Sequence, residues 1–254
     1  QTDSAFLDIL NGVRNRSVDE RHLSHLNTRV DPTFDVAPAE CIQLTTTNAG
    51  ADEVNAAALA RLTDRGETYR GERKGTFPEK DLPTDADLHL KKGARVMLLN
   101  NEKGGRWVNG TLGVITRLAK EWIEARLDGE KHTVRIEPHT WTLYRSVYDE
   151  ASKRLEQERH GSFTQIPVRL AWASTIHKSQ GKTFDRCVVD LRRGAFAAGQ
   201  VYVALSRCRT LEGITLTKPV TEKQLFLDWR VMKFQTSLQY ALAHDERFGI
   251  WGGL

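Results

Sequence analysis

Residues 186–216, RCVVDLRRGAFAAGQVYVALSRCRTLEGITL, contain the pattern that decides the fold. Arg186–Leu191 is a short apolar run rich in valine, which predicts a buried strand. Gly199–Ser206 predicts a helix, and Gly213–Leu216 predicts a second strand. Strand, helix and strand in succession are typical of an α/β domain with a parallel sheet.

An earlier stretch of the chain has the same strand-and-helix pattern. A region of short strands separates the two stretches. The run AECIQLTTTN at 39–48 predicts a strand, and Asp52–Arg65 predicts an amphipathic helix. Between 94 and 145, several short strands are bounded by Asn109-Gly110 and Asp128-Gly129, pairs that suit tight turns with positive φ. Short strands this close together predict a small antiparallel barrel. We therefore expect a barrel inserted into a discontinuous α/β domain.

Helical patterns also occur outside the predicted α/β and barrel regions. Residues 3–30 and Thr221–His244 carry apolar residues at helical spacing. The charged stretch Asp149–Arg159 predicts a solvated helix, and Trp172–Ser179 predicts a short one. Ile166–Leu170 is apolar and contains Pro167, which fits an edge strand or the start of a strand.

Composition sets broad limits on the class of protein. The chain has 254 residues, and no stretch approaches the roughly 20 apolar residues of a membrane helix. We expect no membrane partner and, from three widely spaced cysteines, a reducing intracellular setting. A net charge of +4 is compatible with a polyanionic partner but is equally explained by a mixed solvated surface. Because the chain starts at Gln1 rather than Met, we expect a piece of a longer protein.

Gly181-Lys182-Thr183 resembles the end of a phosphate-binding loop, but its context argues against that function. Such a loop needs another glycine five positions before Gly181, where this chain has Ile176. It also leads into a helix, whereas TFDRCVVDL here predicts a strand. Asp190 lacks a following acid, so we do not expect it to hold magnesium. The sequence therefore contains no recognisable phosphate loop and no predicted metal site.

Two segments closely resemble conserved motifs of superfamily-one helicases of the RecD-like and PIF-type branch. WASTIHKSQGKTFD (172–185) resembles the fifth motif, and GQVYVALSRCRTLEG (199–213) resembles the sixth. LTTTNAGADEVN (44–55) resembles the fourth motif, and LKKGARVMLLNNEKGGRWVNGTLGVI (90–115) resembles the start of the family's inserted SH3-like barrel.

The resemblance implies a domain organisation and an ATP site. It implies an N-terminal helical segment at 1–38, a RecA-like motor domain at 39–93 and 161–235, an SH3-like insertion with a charged helix at 94–160, and a C-terminal helix or tail at 236–254. ATP with Mg²⁺ would lie between this domain and a first RecA-like domain that carries the phosphate loop and is absent from this chain.

Within that ATP site, the sixth motif assigns the catalytic arginine finger to Arg207, with Arg209 as a nearby alternative. A guanidinium can meet the charge of phosphoryl transfer with fixed forked donors. An arginine that only caps its own helix is the structural alternative. The resemblance also places Gln180, Gly181 and Gln200 near the nucleotide; for Gly181, a plain helix cap remains open.

Polar residues in the other motifs are candidates for contacts with single-stranded DNA. Short donors suit sugar-phosphate contacts, which need no reading of bases. The candidates in the fourth and fifth motifs are Thr46, Thr47, Asn48, Thr175, His177, Lys178 and Ser179. The glycine-rich loop of the predicted barrel adds Lys103, Arg106 and Asn109. Trp107 in the same loop fits either base stacking or the barrel core.

The sequence thus predicts the second motor domain of an ATP-dependent, 5′-to-3′ DNA helicase, inactive without the first domain. The resemblance implies roles in DNA repair, recombination or telomere maintenance, and a cytoplasmic or nucleoid location. The alternative is a non-catalytic nucleic-acid-binding module with a motor-like fold.

Overall fold

The structure is a computed structural model. It describes residues 3–15, 17–31, 33, 34, 41–149, 153–192, 194, 197–226, 230, 233 and 237. The chain divides into two compact units. The first consists of Gln1–Val36, Gln43–Asn48 and Thr175–Leu254, and the second of Ala37–Ile42 and Ala49–Ser174. Each unit is therefore built from separate stretches of the chain, and 49–93 groups with the second unit.

The described helices and strands are numbered in chain order. The helices are α1 (Ser4–Asn15), α2 (Glu20–Asn27), α3 (Asn48–Arg61) and α4 (Gln200–Leu205), with 3₁₀ helices at Glu79–Asp81, His177–Ser179 and Glu222–Gln224. The strands are β1 (Ile42–Thr45), β2 (Glu67–Arg70), β3 (Glu72–Gly75), β4 (Asp87–Leu90), β5 (Arg95–Leu98), β6 (Leu112–Leu118), β7 (Ile123–Leu127), β8 (Thr133–Ile136), β9 (His139–Asp149), β10 (Arg154–Gln165), β11 (Val168–Leu170), β12 (Ala173–Thr175), β13 (Cys187–Asp190) and β14 (Ile214–Leu216).

The α/β fold predicted from residues 186–216 is confirmed. Strands β12, β1, β13 and β14 form a four-stranded sheet in that order, and β13 runs parallel to β14 with Cys187 opposite Ile214. Helix α4 connects these two strands in sequence, as the strand-helix-strand pattern requires. The two valines and the cysteine that mark this strand lie in the core, since Cys187, Val188 and Val189 are buried.

The N-terminal helices belong to the first unit. Helix α1 buries Phe6, Ile9, Leu10 and Val13, and it packs against α4. Asp19 caps α2 by accepting a hydrogen bond from the backbone N–H of His22. The helix that leads to Arg207 is thus supported by an apolar face from the start of the chain.

The second unit contains a five-stranded antiparallel sheet in the region predicted to form a barrel. Its order is β11-β5-β6-β7-β8, with β11 at an edge as Pro167 predicted. Its core includes Val96, Ile115 and Ile123. Gly110 and Gly129 have φ of 102° and 79°, which confirms both predicted positive-φ turns. Closure of this sheet into an SH3-like barrel stays a prediction.

The charged stretch 149–159 was predicted to be a helix, and this prediction is wrong. Strands β9 and β10 pair there in a long antiparallel hairpin, with Arg154 opposite Asp149 and Arg145 opposite Glu158. Arg145 Nη2 lies 3.0 Å from Glu158 Oε2. The partners of these charges lie across the ladder rather than one turn along a helix, and a window of one strand does not reveal cross-strand pairing.

Two other helices were predicted, at 172–179 and at 221–244. The short helix predicted at 172–179 is strand β12 followed by one 3₁₀ turn, His177–Ser179. Most of the helix predicted at 221–244, with the tail 236–254, lies outside the described residues. Among the helices that the structure describes, none has the length and apolar character needed to cross a bilayer.

Candidate nucleotide and nucleic-acid site

Arg207 lies just beyond the C-terminal end of α4 and is half-buried. Its Nε donates to the carbonyl oxygen of Val203 at 2.9 Å, and its Nη1 donates to the carbonyl oxygen of Lys182 at 3.0 Å. Its Nη2 donates to the hydroxyl of Ser206 at 2.9 Å. All three acceptors are neutral, so this cation is held in place without a carboxylate among these partners.

The fifth-motif segment turns sharply next to Arg207. The 3₁₀ helix His177–Ser179 ends at Gln180, and Gly181 follows with φ of 78°. The backbone N–H of Lys182 then bonds the carbonyl oxygen of Ser179 at 3.0 Å. A left-handed glycine directly after a helix end is a common terminating device. A Cβ at Gly181 would meet no atom within 4 Å, so a ligand also has access to this backbone.

Backbone hydrogen bonds hold the fifth-motif and sixth-motif segments side by side. The N–H of Phe184 donates to the carbonyl oxygen of Arg207 at 2.8 Å, and the N–H of Arg209 donates to that of Phe184 at 3.2 Å. Nη1 of Arg207 adds the contact to Lys182. The two motifs that the sequence singled out therefore form one structural site.

Arg209, the alternative finger, has a different environment. It is exposed, and its Nε lies 3.2 Å from Oδ1 of Asp185. The carboxylate of Asp185 offsets the positive charge of Arg209 that would otherwise attract a phosphate. The geometry therefore favours Arg207 over Arg209 as the residue available to an incoming anion.

Four predicted site residues have buried side chains. Thr46, Thr175, Ser179 and Gln200 are each at most 5% exposed. The hydroxyl of Ser179 donates to the carbonyl oxygen of Ile176 at 2.7 Å, and Nε2 of Gln200 donates to that of Thr46 at 3.4 Å. These side chains support the site from within, and burial argues against their direct contact with a ligand. Their ligand contacts stay predictions.

The other predicted residues of these motifs are accessible. Asn48, His177, Lys178 and Gln180 are exposed, and Thr47 is half-buried. The N–H of Ile176 bonds the carbonyl oxygen of Thr45 at 3.0 Å, which joins the fourth-motif strand end to the fifth motif. Ligands of open α/β sheets bind beyond the carboxyl ends of the strands, where Thr47 and Asn48 follow β1.

Asp190 ends β13 and is occupied by protein donors. Its carboxylate accepts from Arg192 Nε at 2.9 Å, from Gln43 Nε2 at 2.9 Å and from the Thr217 hydroxyl at 3.1 Å. Desolvation by burial would raise the pKa of Asp190, but the hydrogen bonds and charge of Arg192 lower it overall. This carboxylate is a structural anchor. Within the described ranges, no three His, Cys, Asp or Glu side chains are grouped to hold a metal ion.

The glycine-rich loop of the second unit exposes Lys103, Arg106 and Asn109. Arg106 Nη2 lies 3.1 Å from Glu102 Oε1. Hydrogen bonds from the side chain and from the backbone N–H of Arg106 hold the pKa of Glu102 below its usual value. Trp107 is only 6% exposed, and its Nε1 donates to Asn100 Oδ1 at 3.1 Å. The core alternative for Trp107 is thereby confirmed, and Glu102 offsets part of the charge of the loop.

Asn55 is a positioning residue that sequence reasoning missed. Its Nδ2 donates to the carbonyl oxygen of Ala173 at 2.9 Å, and its Oδ1 accepts from the N–H of Ala173 at 2.9 Å. The paired bonds tie α3 to the start of the fifth motif. The sequence signal for this role was an asparagine in an otherwise alanine-rich helix, at the last position of the fourth-motif segment.

Comparisons with known proteins find relatives that match most of this chain. No protein-family model matches the chain. An ATP-dependent DNA helicase Pif1 of Bdellovibrio bacteriovorus is 32% identical over 238 residues, covering 92% of this chain and 51% of the relative. The chain spans about half the length of this relative.

Solved structures from Bacteroides are similar as well. An unliganded Pif1 is 35% identical with a TM-score of 0.84, covering 94% of this chain and 55% of that one. A Pif1 helicase in complex with ADP-AlF3 and single-stranded DNA is 36% identical with a TM-score of 0.71, covering 94% of this chain and 55% of that one.

Proposed function

Since the chain belongs to the Pif1 family of superfamily-one DNA helicases and matches its members over about half of their length, we propose that it is the second motor domain of an ATP-dependent DNA helicase. The observation that carries the proposal is the position of Arg207. It is half-buried at the end of α4 and joined to the fifth motif, and the three acceptors of its hydrogen bonds, Val203 O, Lys182 O and the Ser206 hydroxyl, are neutral. A cation so held is available to a phosphate.

In this proposal Arg207 is the arginine finger. Its three bonds to neutral oxygens would be exchanged for charge-assisted bonds to the γ-phosphate, which are roughly twice as strong. The guanidinium would then meet charge that grows on the equatorial oxygens during transfer. Because the donor comes from a different domain than the phosphate loop, hydrolysis would require the two domains to close.

The remaining nucleotide contacts come from the fifth-motif turn. Gln180 is exposed, and the open space at Gly181 admits a close approach to the backbone. These residues fit the edge of a triphosphate, whereas Asp190 does not fit Mg²⁺, since its carboxylate is occupied by Arg192, Gln43 and Thr217. Mg²⁺ would be bound by the first RecA-like domain, the proposed partner of this chain.

Single-stranded DNA is the proposed polymer substrate. Lys178 and His177 are adjacent and exposed, and Asn48 lies beyond the end of β1. Lys103, Arg106 and Asn109 offer a second exposed polar set on the other unit. Donors of this kind contact the sugar-phosphate backbone without reading sequence, which suits a translocating motor. Polarity, cellular location and roles in repair, recombination or telomere maintenance stay predictions.

The finger is tested by replacement of Arg207 in a polypeptide that also carries the phosphate-binding domain. Arg207→Ala should reduce ATP turnover by about 10³–10⁵-fold while ATP binding is retained. Arg209→Ala is the matched control, since its side chain is exposed and paired with Asp185. Wild-type turnover in Arg207→Ala, or an equal loss in Arg209→Ala, would reject the assignment.

The second candidate is a nucleic-acid-binding module without catalysis. The observation in its favour is the bond from Arg207 Nε to Val203 in its own helix, which is the geometry of an arginine acting as a helix cap. The same Arg207→Ala experiment separates the two candidates. If Arg207 only caps its helix, the substitution should lower the melting temperature and should not specifically reduce ATP turnover.

A further inference from the structure

A groove crosses the second unit where the chain that follows α3 meets the β4–β5 turn and the middle of β6. One part has a volume of about 630 Å³, with Leu62, Gly93 and Ile115 in its lining. A second part of about 330 Å³ is lined by Arg65, Arg117 and Leu118, among others. Both parts share Asp64, Lys92 and Thr116 in their lining, so they are continuous. We refer to this feature as the α3–β6 groove.

Hydrogen bonds hold the walls of the α3–β6 groove together. Nζ of Lys91 donates to the carbonyl oxygen of Leu62 at 2.9 Å. Oδ1 of Asp64 accepts from the N–H of Gly66 at 2.9 Å and from the N–H of Lys92 at 3.2 Å. These contacts connect the end of the α3 segment to the β4–β5 turn. A groove formed before a ligand arrives loses less entropy on binding.

A β-bulge shapes the third wall. The pairing of β6 with β7 shifts register between Ile115 and Arg117. Thr116 lies at this irregularity, and its hydroxyl donates to the carbonyl oxygen of Glu124 at 3.2 Å. A bulge bends its strand and changes where side chains point, and bulges are over-represented next to functional sites. No step of the proposed motor function uses this bulge.

The groove combines an apolar lining with a positive rim. Lys92, Arg65 and Arg117 are exposed cations, while Leu62 and Leu118 are half-buried. The guanidinium of Arg117 lies 5.1 Å from the centre of the Trp122 ring, an interaction that restrains it. The lining also contains two acids, Asp64 and Glu67, and Asp64 is engaged by two backbone N–H bonds. Three cations against two acids leave the lining with a net positive charge.

These features define the chemistry of an occupant. The cations favour an anionic ligand, and the leucines favour one that also buries an apolar side chain. Single-stranded nucleic acid is held mainly by charge and by stacking on aromatic rings, and none of the lining residues is aromatic. We propose that the α3–β6 groove binds an acidic peptide segment of a partner protein, with one apolar side chain against Leu62 and the acids against Lys92, Arg65 and Arg117.

The proposal is tested on this chain by fluorescence anisotropy with a labelled Asp/Glu-rich peptide that contains one central leucine. Replacement of that leucine by serine should weaken binding about tenfold, or roughly 1.4 kcal/mol. Lys92→Glu and Arg65→Glu should each weaken binding of the leucine peptide to a similar degree. Both side chains are exposed, so these variants should fold normally, which melting curves check.

Lys131→Glu is the matched control, because Lys131 is exposed in the β7–β8 turn and does not line the groove. It should bind the peptide within about twofold of the wild type, which is less than the tenfold step of 1.4 kcal/mol. Three results would overturn the proposal: no peptide binding at low salt, equal loss in Lys131→Glu, or displacement of the peptide by an oligonucleotide whose own binding requires Lys92 and Arg65. None of these measurements depends on ATP turnover.

Discussion

Nη1 of Arg207 donates a 3.0 Å hydrogen bond to the main-chain carbonyl oxygen of Lys182. The contact joins the sixth motif to the fifth, and it uses the backbone of Lys182 rather than the Lys182 side chain. Gly181-Lys182-Thr183 therefore serves here as a turn next to an arginine. The strand β13 follows it, whereas a phosphate loop would lead into a helix.

This relationship predicts that the chain alone does not hydrolyse ATP. Phosphate release by the purified chain should equal the buffer background, and Lys182→Ala should leave it unchanged. The measurement is a coupled ATPase assay with added single-stranded DNA. Hydrolysis by the chain that disappears in Lys182→Ala would instead establish a phosphate loop at 176–183.

The exposed fifth-motif cation should contribute to DNA affinity without sequence preference. Lys178→Ala should weaken binding of single-stranded DNA to a similar degree for unrelated sequences, and lower the slope of log K against log salt by about 1. Lys223→Ala is the control, since Lys223 is exposed in the 3₁₀ helix Glu222–Gln224. Anisotropy titrations over a salt series measure both effects. An equal change in slope for Lys223→Ala would place the DNA elsewhere.

Asn55 should be important for stability although it bears no charge. Asn55→Leu removes both bonds to Ala173 and leaves a part-buried N–H and C=O without these partners. A buried polar group without a partner costs about 1–3 kcal/mol, so the free energy of unfolding should fall by at least about 1 kcal/mol. Urea unfolding measures it. Asn11→Leu, at an exposed position of helix α1, is the control. A loss below the lower bound would mean that water replaces the amide.

The Arg95–Asp128 ion pair should matter far more than a pair on the surface. The Arg95 side chain is 3% exposed, and its Nη1 and Nη2 donate to the two carboxylate oxygens of Asp128. Asp128→Ala leaves a buried guanidinium without this partner, which should cost about 3 kcal/mol of unfolding free energy. Glu158→Ala, which breaks the exposed pair with Arg145, should cost less than about 1 kcal/mol. Similar losses for both variants would contradict this ranking.

Stability should fall in mild acid because of His139. Burial lowers the pKa of His139, whose ring lies edge-on to Trp141 at 4.8 Å. Below the unfolded pKa of about 6.5 the unfolded chain binds more protons, so stability decreases as the pH falls from there toward the lower folded pKa. The melting temperature should therefore drop more between neutral pH and about pH 5 in the wild type than in His139→Gln. An identical drop would assign the effect to other groups.

The sequence by itself determined the features that depend on short-range pattern. The apolar run at Cys187–Val189, the helix before Arg207 and the glycine turns at Gly110 and Gly129 follow from local spacing and backbone preference, which a window of a few residues contains. The motif segments at 172–185 and 199–213 identified the family for the same reason, since each is contiguous.

Only the tertiary structure decided features that depend on partners far apart in the chain. Residues 154–159 of the charged stretch form the start of β10 because β9 supplies the ladder bonds and opposite charges. Gln200 is buried because the carbonyl of Thr46, distant in sequence, accepts its amide. Arg207 is placed by a carbonyl from the fifth motif. Long-range pairs satisfy polar groups and set burial, and no local pattern records which pairs will form.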